Sequence, residues 1–64
     1  MTPIGLKRIR RALGLTQEAL AKAVGVDRVT VARWETGVHA IPEPTVRLIR
    51  RIRAEAQEER RRRR

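Results

Sequence analysis

Between Thr16 and Gly37 the chain reads Thr-Gln-Glu-Ala-Leu-Ala-Lys-Ala-Val-Gly-Val-Asp-Arg-Val-Thr-Val-Ala-Arg-Trp-Glu-Thr-Gly, and this stretch constrains the fold more than any other. It spells two short amphipathic helices hinged at Gly25. The first carries Leu20, Ala21 and Val24 at helical spacing, and the second carries Val31 and Trp34. Ala21 is small enough to let two helices approach closely where they cross. The glycine four positions later permits the positive-φ turn between them. Counting Gln17 as position 1, the small residue falls at 5, the glycine at 9 and β-branched Val31 at 15. Apolar residues also fill positions 4, 8, 10 and 18.

Sixty-four residues make one domain, with a core near the lower limit for independent stability. There is no cysteine, so neither disulfides nor thiolate zinc sites can support it. Lone His39 cannot build a metal site, and the seven carboxylates are scattered. No metal and no cofactor is therefore expected. No apolar run reaches membrane-spanning length and nothing resembles a signal peptide, so a cytoplasmic protein is the expectation. The charge is the outlier. Sixteen Lys and Arg against seven Asp and Glu give a net charge of +9, of which Arg60, Arg61, Arg62, Arg63 and Arg64 supply +5 and leave +4 elsewhere. That balance points to a polyanion, nucleic acid first, with a polybasic membrane-surface peptide as the alternative.

Four helices account for the chain. Thr2-Pro3 is a helix start, a capping hydroxyl followed by proline at the first helical position. Leu6, Ile9 and Leu13 form that helix's apolar stripe, and Gly14 ends it. Thr16 caps the second helix, which has Gln17 and Glu18 in its first turn and stops at Gly25. Asp27 is expected to cap the third, which runs through Trp34 and Glu35 to a stop near Gly37. Ile41-Pro42-Glu43-Pro44 reads as an extended turn, and Pro44 as the first position of a fourth helix. That helix carries Val46, Leu48, Ile49, Ile52 and Ala56. Strand signals are absent, so the fold class is all-α. Only polar and charged residues follow Ala56, which predicts a folded domain over 1–58 and a basic disordered tail over 59–64.

On a helical wheel the third helix has two sides. Val31 and Trp34 point toward the core, whereas Val29, Ala32 and Arg33 point away, with Arg28 at the exposed N-terminal end. The guanidinium fork of Arg28 or Arg33 matches guanine O6 and N7, and Val29 suits a thymine methyl group in a major groove. Solvated charge and an isolated exposed valine are the alternatives. Gln17 opens the second helix, where free N–H groups and the dipole favour a phosphate. Thr16, Thr30 and Thr36 are expected to share that backbone-positioning role, which carries no sequence information. Arg10 lies beside the Leu6/Leu13 stripe, whereas Lys7, Arg8 and Arg11 lie away from it. Glu35 flanks Val31 and Trp34 in the same way. An acid on a DNA-facing helix would repel phosphate unless turned inward, so Arg10 and Glu35 are expected to pair, the alternative being that both are solvated.

With these residues in place, the chain resembles the Cro and phage-repressor (XRE-type) helix-turn-helix family. Leu13-Gly14-Leu15-Thr16-Gln17-Glu18 is similar to the family's lead into its second helix. Gly25-Val26-Asp27-Arg28, then Val31 and Arg33-Trp34-Glu35-Thr36-Gly37, is similar to its recognition helix and terminal turn. The likeness covers roughly residues 4–52. It implies a compact domain of four helices, or five, whose third helix enters the major groove. In the family the first two and the sixth recognition-helix residues commonly touch bases, which implies Arg28, Val29 and Arg33 here. The resemblance likewise implies a buried Arg10–Glu35 pair and a phosphate contact from Gln17. Two departures stand out: Pro42 and Pro44 replace the single proline usual after the glycine turn, and the fourth helix is long and ends in arginines.

The resulting expectation is a sequence-specific double-stranded-DNA-binding protein, a small bacterial or phage regulator of repressor-like type, nucleoid-associated. It is expected to bind a two-fold operator as a homodimer. No sensor segment is written in the chain, so control is expected from protein level, a partner or a larger chain. One alternative is an antitoxin-like or adaptor protein whose domain holds a protein partner through the Leu48/Ile52 edge. Another is a nonspecific nucleic-acid coating peptide. An enzyme is not expected, because no nucleophile–base pair, metal cluster or phosphate loop is present.

Overall fold

A computed structural model describes residues 1–63, and among them the chain is all-helical. The helices are α1 (Pro3–Ala12), α2 (Gln17–Val24), α3 (Arg28–Thr36) and α4 (Glu43–Arg62). Their ends follow local chemistry. Thr2 Oγ1 accepts from the Gly5 N–H at 2.9 Å and Thr16 Oγ1 from the Ala19 N–H at 3.0 Å, so α1 and α2 each begin on a hydroxyl cap. The α2–α3 turn passes through Gly25 at φ +81°, and α3 stops at Gly37 at φ +79°. A side chain at Gly25 would meet open space, so only the left-handed backbone selects glycine there, at roughly 1–2 kcal/mol.

The apolar stripes converge on one small core of Leu6, Leu20, Ala21, Val31, Trp34 and Ile49, with Val46 also buried. Each fully buried Leu, Val or Ile contributes roughly 1.5–3 kcal/mol of transfer free energy. Met1, Ile9, Leu15, Val24, Val26 and Ile41 pack around this cluster. Ala21, 2 % exposed, sits where the pattern asks for a small residue.

Three details differ from the sequence reading. Asp27 occupies the N-cap position of α3, but its side chain makes no capping bond; its backbone carbonyl accepts from Thr30 and Val31 instead. Helix α4 begins at Glu43, one residue before Pro44, with Pro42 as its extended N-cap. Both prolines thus fall where a helix needs no internal N–H donor.

The third difference is larger. The segment expected to fray after Ala56 continues α4 to Arg62, and Arg64 of the expected tail lies outside the described residues. Glu, Gln, Ala and Arg all have high intrinsic helix propensity. Ion pairs one turn apart add to it: Arg51–Glu55 at 3.3 Å, Glu58–Arg62 at 3.9 Å and Glu59–Arg63 at 3.2 Å. Absence of an apolar face weakens tertiary packing without removing these local terms. No described helix is long and apolar enough to cross a membrane.

Candidate nucleic-acid interface

Val31 and Trp34 anchor α3 from below, at 0 % and 3 % exposure. That anchoring turns Val29 and Arg33 outward, while Arg28 stands exposed at the start of the helix. Both arginines are exposed, Val29 is 47 % exposed, and Ala32 between them is half-buried. The outer face of α3 is therefore a short surface with two guanidinium forks and one branched apolar side chain. It has no carboxylate except Asp27 at its N-terminal edge, because Glu35 is turned inward.

Glu35 is the centre of a polar clamp. Arg10 Nε donates to Glu35 Oε2 at 2.6 Å and Arg10 Nη2 to Oε1 at 3.2 Å, a two-pronged pair. The third nitrogen, Nη1, donates to the Leu15 carbonyl at 2.9 Å. Gln17 Nε2 completes the set by donating to Glu35 Oε1 at 3.2 Å. The two charged side chains retain 12 % and 3 % of their exposure. The Arg10–Glu35 pair thus ties α1, the α1–α2 turn, the start of α2 and α3 together. Two of its participants, the Leu15 carbonyl and the Gln17 amide, escaped the sequence reading. A wheel ranks faces within one helix and says nothing of what a turn carbonyl or a neighbouring helix start presents.

Burial acts to raise the Glu35 carboxyl, but the hydrogen bonds from Arg10 and Gln17 and the charges of Arg10 and Lys7 outweigh it. Its titration is therefore held below the ordinary glutamate range. The sign for stability follows. Above the unfolded value, about 4.3, the ionised clamp contributes fully, and its contribution is lost as pH falls through the lowered folded value. Acidification from about pH 6 to pH 3 should lower the urea midpoint of the native protein more than that of Glu35→Gln, which lacks this step. Parallel pH profiles for the two proteins would contradict the role given to Glu35.

The hydroxyl and amide groups around this face differ in what they have free. Thr16 Oγ1 accepts a cap bond, which leaves its O–H available to donate. One amide hydrogen of Gln17 is engaged by Glu35, and the second is open. Thr30 is half-buried on α3, and its hydroxyl takes part in no bond among the described residues. Thr36 Oγ1 lies 3.1 Å from the Ala32 carbonyl and 3.2 Å from that of Arg33, so its proton is committed to its own helix. Among the described residues no group of three His, Cys, Asp or Glu side chains could hold a metal ion.

A family model described as helix-turn-helix matches residues 6–54, from the middle of α1 to the middle of α4. Comparison with curated proteins and with solved structures found no match.

Proposed function

This chain belongs to the Cro and phage-repressor (XRE-type) helix-turn-helix family, a family of DNA-binding regulators, and from that premise we propose that it is a sequence-specific reader of double-stranded DNA. The observation that carries the reading is the outward face of α3. A helix clamped on one side by Val31, Trp34 and the Glu35 network offers Val29 and Arg33 on the other, with Arg28 exposed at its start. A major groove about 12 Å wide admits such a helix. Arg28 and Arg33 each read a guanine, and Val29 packs on a thymine methyl.

Thr16, Thr30 and the second amide hydrogen of Gln17 hold phosphates and fix the position of α3 over the groove. Thr36 joins them only by releasing its helix carbonyl. The protein acts as a homodimer on a two-fold operator, so two copies of α3 reach two half-sites one helical turn apart, about 34 Å. It works as a small bacterial or phage regulator inside the cell, without cofactor or catalysis.

Selecting bound duplexes from a random pool and sequencing them tests this reading. Enrichment of one palindrome supports it. An unenriched pool indicates nonspecific coating, and failure to retain any duplex shifts the function to a protein partner.

The arginines at the C-terminus add affinity with little sequence preference. Each phosphate neutralised on duplex DNA steepens the fall of log affinity with log salt by roughly 0.9. Deleting Arg60 to Arg64 should reduce the magnitude of that slope by up to about four or five units if every arginine meets a phosphate. Preference for the operator over random duplex should stay the same. Titrations across low to moderate salt check this: identical slopes leave these arginines idle, and a collapse of specificity makes them sequence readers.

A further inference from the structure

The charges of α4 are sorted by face. Three of its arginines and its C-cap sit near carboxylates one turn away: Arg47 by Glu43 at 3.8 Å, Arg51 by Glu55 at 3.3 Å, Arg62 by Glu58 at 3.9 Å and the cap Arg63 by Glu59 at 3.2 Å. Arg50, Arg53, Arg60 and Arg61 pair with no carboxylate among the described residues, and all four are exposed. At 100° per residue these four and Gln57 occupy one arc of about 100°; Glu55, Glu58 and Glu59 fall outside it, and Glu43, at its edge, lies about two turns before Arg50. From Arg50 to Arg61 the stripe is about 16 Å long at 1.5 Å per residue, the axial length of roughly five base pairs.

This stripe has a fixed place on the domain. Arg53 and Arg60 line a shallow groove with Ala12 and Leu13 at the end of α1, together with Ala56, Gln57 and the Glu59–Arg63 pair at its edge. Arg60 Nη2 approaches the Ala12 carbonyl at 3.4 Å, at the negative end of the α1 dipole. Ala12 lies four residues before Thr16, the N-cap of α2. Helix α1 has no acidic residue, and it exposes Lys7, Arg8 and Arg11. The cationic stripe is thus held against the end of α1 that leads into the helix start assigned above to phosphate.

The geometry points to a second phosphate-binding surface on α4, in which the unpaired arginines Arg50, Arg53, Arg60 and Arg61 track the DNA backbone beside the segment read by α3. This rests on the DNA-binding reading and adds to it a rigid, helical contact in place of a loose arm. The arginines that sit near acids bring a carboxylate to the backbone beside each guanidinium and contribute less. Charge complementarity selects the ligand, a run of phosphates with no base preference.

Three variants test it, with binding to a random-sequence duplex measured against salt. Arg50→Gln/Arg53→Gln removes half the stripe and leaves the C-terminal arginines intact. Its slope should fall in magnitude by about two units relative to the native protein. Arg47→Gln/Arg51→Gln removes the same charge from the paired side and should change the slope by less than half as much. Ala54→Gly/Gln57→Gly keeps every charge but loosens the helix, and it should shallow the slope as well. An unchanged slope in the stripe variant, an equal loss in the paired-side variant, or a native slope in the glycine variant each overturns the proposal. The native protein's own titration separates the two readings. Failure of the native protein to bind duplex sinks the DNA-binding function itself, whereas native binding with an unaffected stripe variant sinks only the α4 surface.

Discussion

Glu35→Ala should lower the stability of the domain by about 3 kcal/mol, near the bottom of the range for breaking a fully buried ion pair. The substitution leaves the Arg10 guanidinium, 12 % exposed, with the Leu15 carbonyl as its remaining partner. It also strips Gln17 Nε2 of its acceptor. In a domain of this size each kcal/mol shifts the unfolding midpoint by about 4–8 °C, so the loss amounts to about 12–24 °C. Arg10→Ala should cost a similar amount by the mirror-image route, leaving Glu35, 3 % exposed, with Gln17 alone. The double variant Arg10→Ala/Glu35→Ala should lose much less than the sum, because neither desolvated charge remains. Urea unfolding of the four proteins gives the coupling directly, and a coupling of zero would mean that the pair is incidental to stability. Arg10 and Glu35 spend their charges on each other, and neither is assigned a contact with DNA. Both single variants should bind DNA less well only to the extent that they unfold.

Arg28→Ala and Arg33→Ala carry the second large effect, on binding alone. Both side chains are exposed, Arg33 on the face of α3 opposite Val31 and Trp34 and Arg28 at the helix start, so truncating either should leave the stability within about 0.5 kcal/mol of native. Each should weaken operator binding by about 1–3 kcal/mol and relax the preference at one guanine per half-site. The readout is affinity for the operator and for duplexes altered at single positions, at one salt concentration. A variant that loses the same factor on operator and on random DNA has lost a phosphate contact, and the base-reading role then fails for that residue.

The α2–α3 unit was the most legible part of the chain because its requirements are local. Ala21, Gly25 and Val31 answer to a close crossing, a positive φ and a core position, and each demand leaves few residue types. Arg10 and Glu35 could be placed beside their apolar stripes by angle alone, and in the fold they stand 2.6 Å apart. What stayed hidden depends on tertiary geometry or on sums of small terms. The Gln17 amide meets Glu35 only because the start of α2 abuts α3. The capping role expected of Asp27 rests on residue type, while its carboxylate makes no capping bond. The continuation of α4 past Ala56 comes from helix propensity and pairs one turn apart, each worth only ~0.2–0.5 kcal/mol. A search for apolar periodicity does not register terms of that kind.

The central claim, that α3 reads sequence, comes down to one ratio. The dissociation constant of the native protein is measured for the most enriched selected duplex and for a scrambled duplex of the same length and composition, at the same salt. A specific reader should bind the selected duplex at least about 10³-fold more tightly, the lower end of the range for specific complexes. A ratio near one, with both affinities falling equally steeply with salt, would contradict the claim and leave a protein that grips phosphates without reading bases.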